Sequence, residues 1–501
     1  MIRISKSRYT TFLKSPRELW LSVYKRELAE IDASVEFRFE AGHLLGEYSK
    51  KLVKGTVDVT VLNESGRPDI AKMLEETLKL INEDVPAIAE ASFTFGNMFA
   101  SIDILKNNFD GSWDIYEVKS SSEIKDIYLY DIAFQKHLLL KCGLNIKNAY
   151  IVYVNKEYVR HGEVEVDKLF EFFKADDLIV SHMSDIDENV KKAVEVLEMK
   201  TEPYIDIDEN INKPYKSAFW NYYISHLPKP NVFDLYRLRM NKKIEFYKNN
   251  LVSFEDLKNS HHSFNEIQQR QLEWHFKGDE YYIDKPKVKE FLQTFTYPLY
   301  FLDFETIESV IPMFDGTKPN QKIIFQYSLH VMEAADQPLK HYEFLAQHET
   351  DPRREVAEKL IKYIKDDGGS IVVYNKSFEV TRIKELANDF PDLKKPLLKL
   401  NKRVVDLLDV FTGGYVYHKN MSGSFSIKST LPALFPNEAG LNYKNLENVQ
   451  NGTDAQVVFL SLAEKTPQER EILRQSLLDY CELDTYAMVM IYMWLLKNAF
   501  I

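Results

Sequence analysis

The sequence predicts an α/β protein built as two α/β modules joined by a mostly helical connector. Three observations lead there. The chain has 501 residues, enough for about three domains of roughly 150 residues each. From Glu90 to Asn155 the apolar residues first alternate, then fall at helical spacing, then run continuously, an order of strands, helix and strand. From YPLYFLDFET (297–306) onward a second such mixture begins. The expected domains are 1–200, a connector over 201–296, and 297–501.

Taken in order, the first 55 residues carry 11 basic and 7 acidic side chains. They read as a helix from about Ser5 to Glu30, interrupted near Pro16, and a second from about Glu36 to Val53, where Phe39, His43, Gly46 and Tyr48 lie close to helical spacing. Either a basic helical arm or a solvated helix face accounts for that charge. ASFTFGNMFASIDIL (91–105) and SWDIYEVKSSS (112–122) are β-rich runs separated by the turn-like NNFDG. Lys125 to Cys142 returns to helical spacing and stops at Gly143, a good residue for a helix C-terminus. NAYIVYVN (148–155) reads as a strand buried on both faces. The charged, proline-containing TEPYIDIDENINKPYK (201–216) marks a boundary, and helical patterning continues to about Lys287. The last module opens with YPLYFLDFET, IIFQYSLHVM and LKHYEFLA as three antiparallel-type strands. A helix at about 351–366, the strand SIVVYN, a helix after Ser377 and a long helix from about Pro467 follow, which suggests a mixed sheet.

Composition narrows the function. With 64 basic against 76 acidic side chains the formal charge is −12, so bulk positive charge does not hold this chain to nucleic acid, and any such contact must be local. Two cysteines, Cys142 and Cys481, are too few for a four-thiolate iron–sulfur or zinc site or for a disulfide framework, which points to a reducing, cytoplasmic setting. The N-terminal MIRISKSRYTTFLKSPRELWL lacks the apolar stretch of a signal sequence, and no run of about 18 apolar residues follows, so no membrane segment is expected.

The sharpest chemical signal is Leu302-Asp303-Phe304-Glu305. On a strand, residues i and i+2 share a face, so Asp303 and Glu305 project side by side, an unfavourable pairing that Mg²⁺ or Mn²⁺ would relieve. Near the C-terminus Tyr480 and Asp484 stand four apart on an apolar helix and so share one helix face. Between them, Tyr374-Asn375-Lys376-Ser377-Phe378-Glu379 follows a buried-type strand, placing Asn375 and Glu379 at a strand's C-terminal edge.

These three ordered motifs resemble the DEDD 3′-to-5′ exonucleases of the RNase H-like (DnaQ-like) fold, tyrosine subtype, over about residues 297–501. The resemblance implies that Asp303, Glu305, Glu379 and Asp484 are metal ligands and that Tyr480 orients the attacking water. Glu379 departs from the pattern, which usually has Asp there, so reduced activity or a shifted metal preference is implied. Asp406 would either assist or cap a helix. In Gly423-Ser424-Phe425-Ser426-Ile427-Lys428, small residues permit close backbone approach and Lys428 would meet a phosphate, with His418 nearby, unless the segment is an ordinary loop. Gln326 and Tyr327, on the strand after Asp303 and Glu305, would line the substrate groove, unless Tyr327 serves sheet packing instead.

A second constellation lies in the first third. Asp103 ends one β-run, Glu117 and Lys119 stand at i and i+2 on the next, and Gln135 lies on the following helix. A carboxylate and an ammonium on one strand face would hold a cation and polarise a water. The pattern resembles the PD-(D/E)XK (restriction-endonuclease-like) nucleases of the RecB-like and CRISPR-adaptation branch, over roughly residues 1–200. It implies Asp103 and Glu117 as metal ligands, Lys119 as the catalytic lysine and Gln135 as a supporting group. His43 or Glu47 would complete the site or else form a solvent-facing pair. Many members of that branch hold an iron–sulfur cluster. Here Ser15 stands at the matching early cysteine position and Pro214 to His226 contains no cysteine, so no cluster is expected.

The whole order, carried by YEVKSSS, FDGT, FQYSLH, YNKSFE and GSFSIK, resembles a bacterial family of two-nuclease fusions. The expectation is a nuclease dependent on Mg²⁺ or Mn²⁺, most simply a 3′-to-5′ exonuclease on single-stranded DNA with a second site that cuts or grips DNA. An RNA exonuclease, or a nucleic-acid-binding scaffold with one or both sites inactive, is the alternative.

Overall fold

The computed structural model describes residues 2–30, 33–213 and 215–500. The chain is mixed α/β and clusters into two compact units, Met1–His226 with Ser309–Gln321, and Leu227–Glu308 with Lys322–Ile501. The stretch 201–296, expected as a connector, is divided at His226 between the two.

Among the described residues, unit 1 holds a seven-stranded mixed sheet of β1 (Ile4–Ser5), β2 (Thr56–Asp58), β3 (Ala87–Phe95), β4 (Met98–Asn107), β5 (Trp113–Lys119), β6 (Ile146–Val154) and β7 (Phe170–Lys174). The order is β2-β3-β4-β5-β6-β7, with β1 parallel to β4. The β-rich run 91–105 is two strands rather than one. Phe95 pairs with Met98, and Gly96, at φ +57°, turns the chain in a two-residue loop that a residue with a Cβ would strain. The helix Asp126–Lys141 lays Ile132, Ala133, Phe134, Leu138 and Leu139 into the core and ends where Gly143 takes φ +86°. In β6, Ile151, Val152 and Val154 are buried while Tyr150 and Tyr153 are only half-buried. Both faces are packed as its apolar run suggested, Ala149 and Ile151 into one core cluster and Val152 and Val154 into a second, with the tyrosines at its partly exposed positions. At the N-terminus, Ser5 and Ser15 cap the helices Lys6–Lys14 and Pro16–Tyr24, and Ser15 accepts from the Glu18 N–H at 3.2 Å. Such a cap is worth about 1 kcal/mol, a concrete role for the serine at this position.

Unit 2 is built on a five-stranded sheet. Its strands, with the short pair β8 (Tyr281–Ile283) and β14 (Val416–His418) beside it in sequence, are β9 (Leu299–Ile307), β10 (Ile323–Met332), β11 (Lys340–Leu345), β12 (Ile371–Val373) and β13 (Val404–Asp406). The order is β11-β10-β9-β12-β13, the first three antiparallel and the last two parallel to β9. Every residue of β9 except Asp303 is buried. Fully burying one Leu, Ile or Phe contributes about 1.5–3 kcal/mol, so an acid in the midst of this strand needs a reason. The helix Pro467–Phe500 packs on β9 and β10 and is buried mainly from Leu477 onward. Residues before β9 form short helices, including Met240–Lys248, Phe254–Asn259 and Glu266–His275, around a satellite cluster of Val232, Leu235, Phe246, Phe254, Leu257 and Leu272. Among the described residues no helix is long and apolar enough to cross a membrane.

Candidate functional site

Each unit assembles a carboxylate cluster. In unit 2, Asp303 and Glu305 share a face of β9, and their partners on β10 are Ser328 and Gln326. A bulge at Phe325, between the Ile324 and Gln326 pairings, bends β10 beside them. The helix Pro467–Phe500 brings Asp484 over the same face, so that one ligand oxygen each from Asp303, Glu305 and Asp484 lies within 4.8 Å of the other two. The Tyr480 hydroxyl, one turn earlier, faces Glu305 and Asp484. Tyr443 donates to Asp484 Oδ1 at 2.6 Å. Lys428 Nζ lies 4.9 Å from the Tyr480 ring and 5.4 Å from that of Tyr443. Gly452 approaches so closely that an added Cβ would sit 3.2 Å from Glu305 Oε2.

Electrostatics in this pocket disfavours the ionised acids. Burial, then the charges of Asp484, Glu305 and Glu379, hold the Asp303 carboxyl well above the usual range. Burial and Asp484 push Glu305 up to about 8. Burial raises Asp484 to about 6 against the opposing hydrogen bond from Tyr443. Glu379, on the helix Lys376–Asp389, is 2% exposed. Burial first, then Asp406 and Glu305, push it to about 8, and its Oε2 has no hydrogen-bond partner among the described residues. Lys428 supplies one positive charge, itself lowered by burial. A buried carboxylate oxygen without a donor is costly, and like charges this close cannot all ionise unaided. An all-oxygen donor set with an orphaned oxygen fits a hard divalent cation such as Mg²⁺ or Mn²⁺, which Asp303, Glu305 and Asp484 could hold, with Glu379 beside them.

Other residues expected near this cluster stand elsewhere or do other work. Asp406 accepts from the backbone N–H groups of Asn375 (3.0 Å), Lys376 (2.8 Å) and Leu408 (3.0 Å), which fixes the turn between β12 and its helix. Asn375 is exposed at φ +100° on that turn. Gln326, expected to line the substrate groove, is fully buried and donates to the Leu477 carbonyl at 2.7 Å, pinning the helix that covers this face. His418 belongs to the β8–β14 pair, where its Nδ1 accepts from the Asn420 N–H and its ring stacks on Tyr281. Neither has the exposed position a substrate contact requires. Tyr443 is the residue the sequence reading overlooked here, since its surroundings follow no helical or strand period.

In unit 1 the predicted residues Asp103, Glu117, Lys119 and Gln135 come together, joined by Lys6, Asp131 and Glu90. Lys119 Nζ lies 2.5 Å from Glu117 and 2.6 Å from Asp131. Lys6 Nζ lies 3.0 Å from Glu117 and 3.3 Å from Asp103. Gln135 Nε2 donates to Glu117 at 2.7 Å, and the Val118 N–H donates to Asp103 Oδ2 at 2.7 Å. Burial opposes ionisation of Glu117, but Lys119 and Lys6 outweigh it and hold the carboxyl well below its usual range. Burial and Glu117 push Asp103 up to about 6. Glu90 sits at φ +57° within β3, opposite Asp103, and burial with Asp103 raises it to about 7. A non-glycine residue in that conformation inside a strand costs about 1–3 kcal/mol and is characteristic of functional sites. The cluster opens into a cleft of about 640 Å³ that His43, Glu47 and Glu90 also line. Glu47 is paired with Lys50, which in turn meets Asp58 at 2.6 Å. Asp131 could have been found from the sequence, because it lies four residues before Gln135 on one helix face. Lys6, 97 and 111 residues from its partners, carried no local signal.

Residues 300–426 match a family described as a domain of unknown function, DUF2779. The chain is 29% identical over 220 residues to an uncharacterized protein of Mycoplasma pneumoniae, covering 38% of this chain and 31% of that protein. It is 30% identical over 214 residues to one of Mycoplasma genitalium, with 39% and 31% covered. A similar protein of Ureaplasma parvum is 30% identical over 237 residues, with 43% and 33% covered. The chain thus spans about a third of the length of the curated relatives it matches. No solved structure matches.

Proposed function

We propose that this chain is a metal-dependent nuclease whose C-terminal module (297–501) is an RNase H-like DEDD exonuclease acting at the 3′ end of single-stranded DNA. The N-terminal module (1–200) is a PD-(D/E)XK fold that cuts or grips DNA. The observation that carries the reading is the convergence of Asp303, Glu305 and Asp484 on one sheet face, with Glu379 alongside, its Oε2 without a hydrogen-bond partner among the described residues. Mg²⁺ or Mn²⁺ bound there would supply the clamp on attacking and leaving oxygens that phosphodiester hydrolysis requires. The chain's own groups do the rest. Tyr480 orients the water through its phenol, Tyr443 holds Asp484 in place, and Lys428 meets the phosphate from the open side. The strand order, three antiparallel strands followed by βα units, supports the fold read from the motifs. Local cation sites, rather than the net charge of −12, then set where phosphates dock.

One observation favours gripping over cutting in the N-terminal module. Lys6 Nζ lies between Asp103 and Glu117, where the cation of a cutting site would be held. Incubating purified full-length protein with matched end-labelled DNA and RNA oligonucleotides in Mg²⁺ or Mn²⁺, beside Asp303→Ala and Lys119→Ala, tests both readings. Metal-dependent shortening from the 3′ end, lost in Asp303→Ala and kept in Lys119→Ala, is expected. No shortening of either polymer would overturn the catalytic reading, and faster loss of RNA would reassign the substrate.

A further inference from the structure

A second group of metal-ligating side chains lies on the same sheet face of unit 2 and is not used by the nuclease reading. His330 on β10 and His341 on β11 are cross-strand partners, so their side chains leave the sheet together. Their rings stack with centroids 4.5 Å apart at 24°. From the helix Pro467–Phe500, Glu482 reaches His341, its carboxylate 3.8 Å from Nδ1. One ligand atom from each of the three lies within 4.8 Å of the other two.

The surroundings are those of a built site. His330 Nδ1 is bonded to Thr485 Oγ1 at 2.8 Å, and His341 Nε2 to Ser328 Oγ at 2.9 Å. The two hydroxyls are bonded to each other at 2.7 Å. Each imidazole is therefore oriented through one nitrogen, leaving Nε2 of His330 and Nδ1 of His341 as donors, the arrangement by which hydroxyls or carboxylates behind a ligating histidine fix its tautomer. His330 is 4% exposed, whereas Glu482 is half-exposed, so the group is anchored at one end and open to solvent at the other. Glu343, two residues beyond His341 and on the same face of β11, adds negative charge.

We propose that His330, His341 and Glu482 bind a borderline transition-metal ion, Zn²⁺ foremost. Two imidazoles and a carboxylate suit Zn²⁺ and leave one tetrahedral position open, whereas Mg²⁺ prefers oxygen donors only. The two sites on this face are thereby sorted by donor type. The metal ties the long helix to the β10–β11 hairpin immediately before Asp484, so its place is structural, a clasp on the element that carries Tyr480 and Asp484. The site stands whether or not the nuclease reading does.

The test is a calorimetric Zn²⁺ titration of the full chain in excess Mg²⁺, which occupies oxygen-donor sites, together with electron paramagnetic resonance of the Cu²⁺-loaded protein. One equivalent of Zn²⁺ and hyperfine coupling to two imidazole nitrogens are expected. His341→Ala and Glu482→Ala, both at partly exposed positions, should each weaken Zn²⁺ binding at least tenfold while circular dichroism shows a folded chain. Ser328→Ala should weaken it about tenfold through His341, and Asp303→Asn should leave it unchanged. Identical Zn²⁺ binding in wild type and His341→Ala, or binding lost in Asp303→Asn and kept in His341→Ala, would overturn the site.

Discussion

The two carboxylate clusters solve the same electrostatic problem in opposite ways. In unit 1, Asp103, Glu117 and Asp131 face Lys6 and Lys119, and nearly every oxygen has a donor. In unit 2, Lys428 acts on Asp303, Glu305 and Asp484 and Lys322 on Glu305 from further off, yet three of the four acids are pushed to about 6 or above while Asp303 is also well above its ordinary value. The first cluster is neutralised from within. On the proposed reading the second would be neutralised by a bound cation, or without one by protons, so the two should differ in what breaks them.

The largest difference should appear on removing an acid from unit 2. Asp303→Asn is expected to reduce metal-dependent hydrolysis by about three orders of magnitude, since the ligand set supplies several kcal/mol of transition-state stabilisation, yet to raise the melting temperature in chelator. A gel assay of 3′-end shortening and a thermal scan check the two halves, and a destabilised Asp303→Asn in chelator would break the comparison. In unit 1 the sign reverses. Lys119→Met takes from buried Asp131 its ammonium partner and from Glu117 one of two, and should cost about 3–5 kcal/mol, read by denaturant unfolding or by hydrogen exchange in β5.

A third difference is sharpened by pH. Glu305 and Glu379, at about 8 in the fold against about 4.3 in an unfolded chain, bind protons that the unfolded state has already lost. Stability in chelator should therefore fall as pH rises from about 4 to 8, and Mn²⁺ should restore it at the upper end by several degrees. Thermal scans at fixed ionic strength measure this, and a profile that rises with pH would contradict it. The smallest expected effect is that of Tyr443→Phe. Losing its 2.6 Å bond to Asp484 should cost about 1–2 kcal/mol and shift the acid limb of any pH–rate profile upward.

What the sequence disclosed follows from range. Asp303 with Glu305, Glu117 with Lys119, and Tyr480 with Asp484 were legible because strand and helix periods place residues two or four apart on one face. Lys6 and Tyr443 were not, because only the tertiary fold carries them across 111 and 41 residues to their partners. Gln326 shows the limit of the period argument itself. It does share the face of Glu305, but a helix more than 140 residues later covers that face, and no local pattern says whether a face looks onto solvent or onto another element. The hairpin at Gly96 was hidden because both of its strands are apolar, so the run reads through the turn.

The segment Ser309–Gln321 bears on how the molecule is made. It lies between β9 and β10 in sequence yet belongs to unit 1, where the Pro312 and Met313 carbonyls accept from the Arg160 guanidinium, the Thr317 carbonyl accepts from the Arg160 N–H, and Val310 and Ile311 join Leu169 and Phe170 in an apolar cluster. A ribosome delivers residues in order, so unit 1 remains short of these contacts until residue 321 has been synthesised. By then the first strand of the second sheet has already been translated, so the N-terminal half can complete its own contacts only after synthesis of the other half has begun.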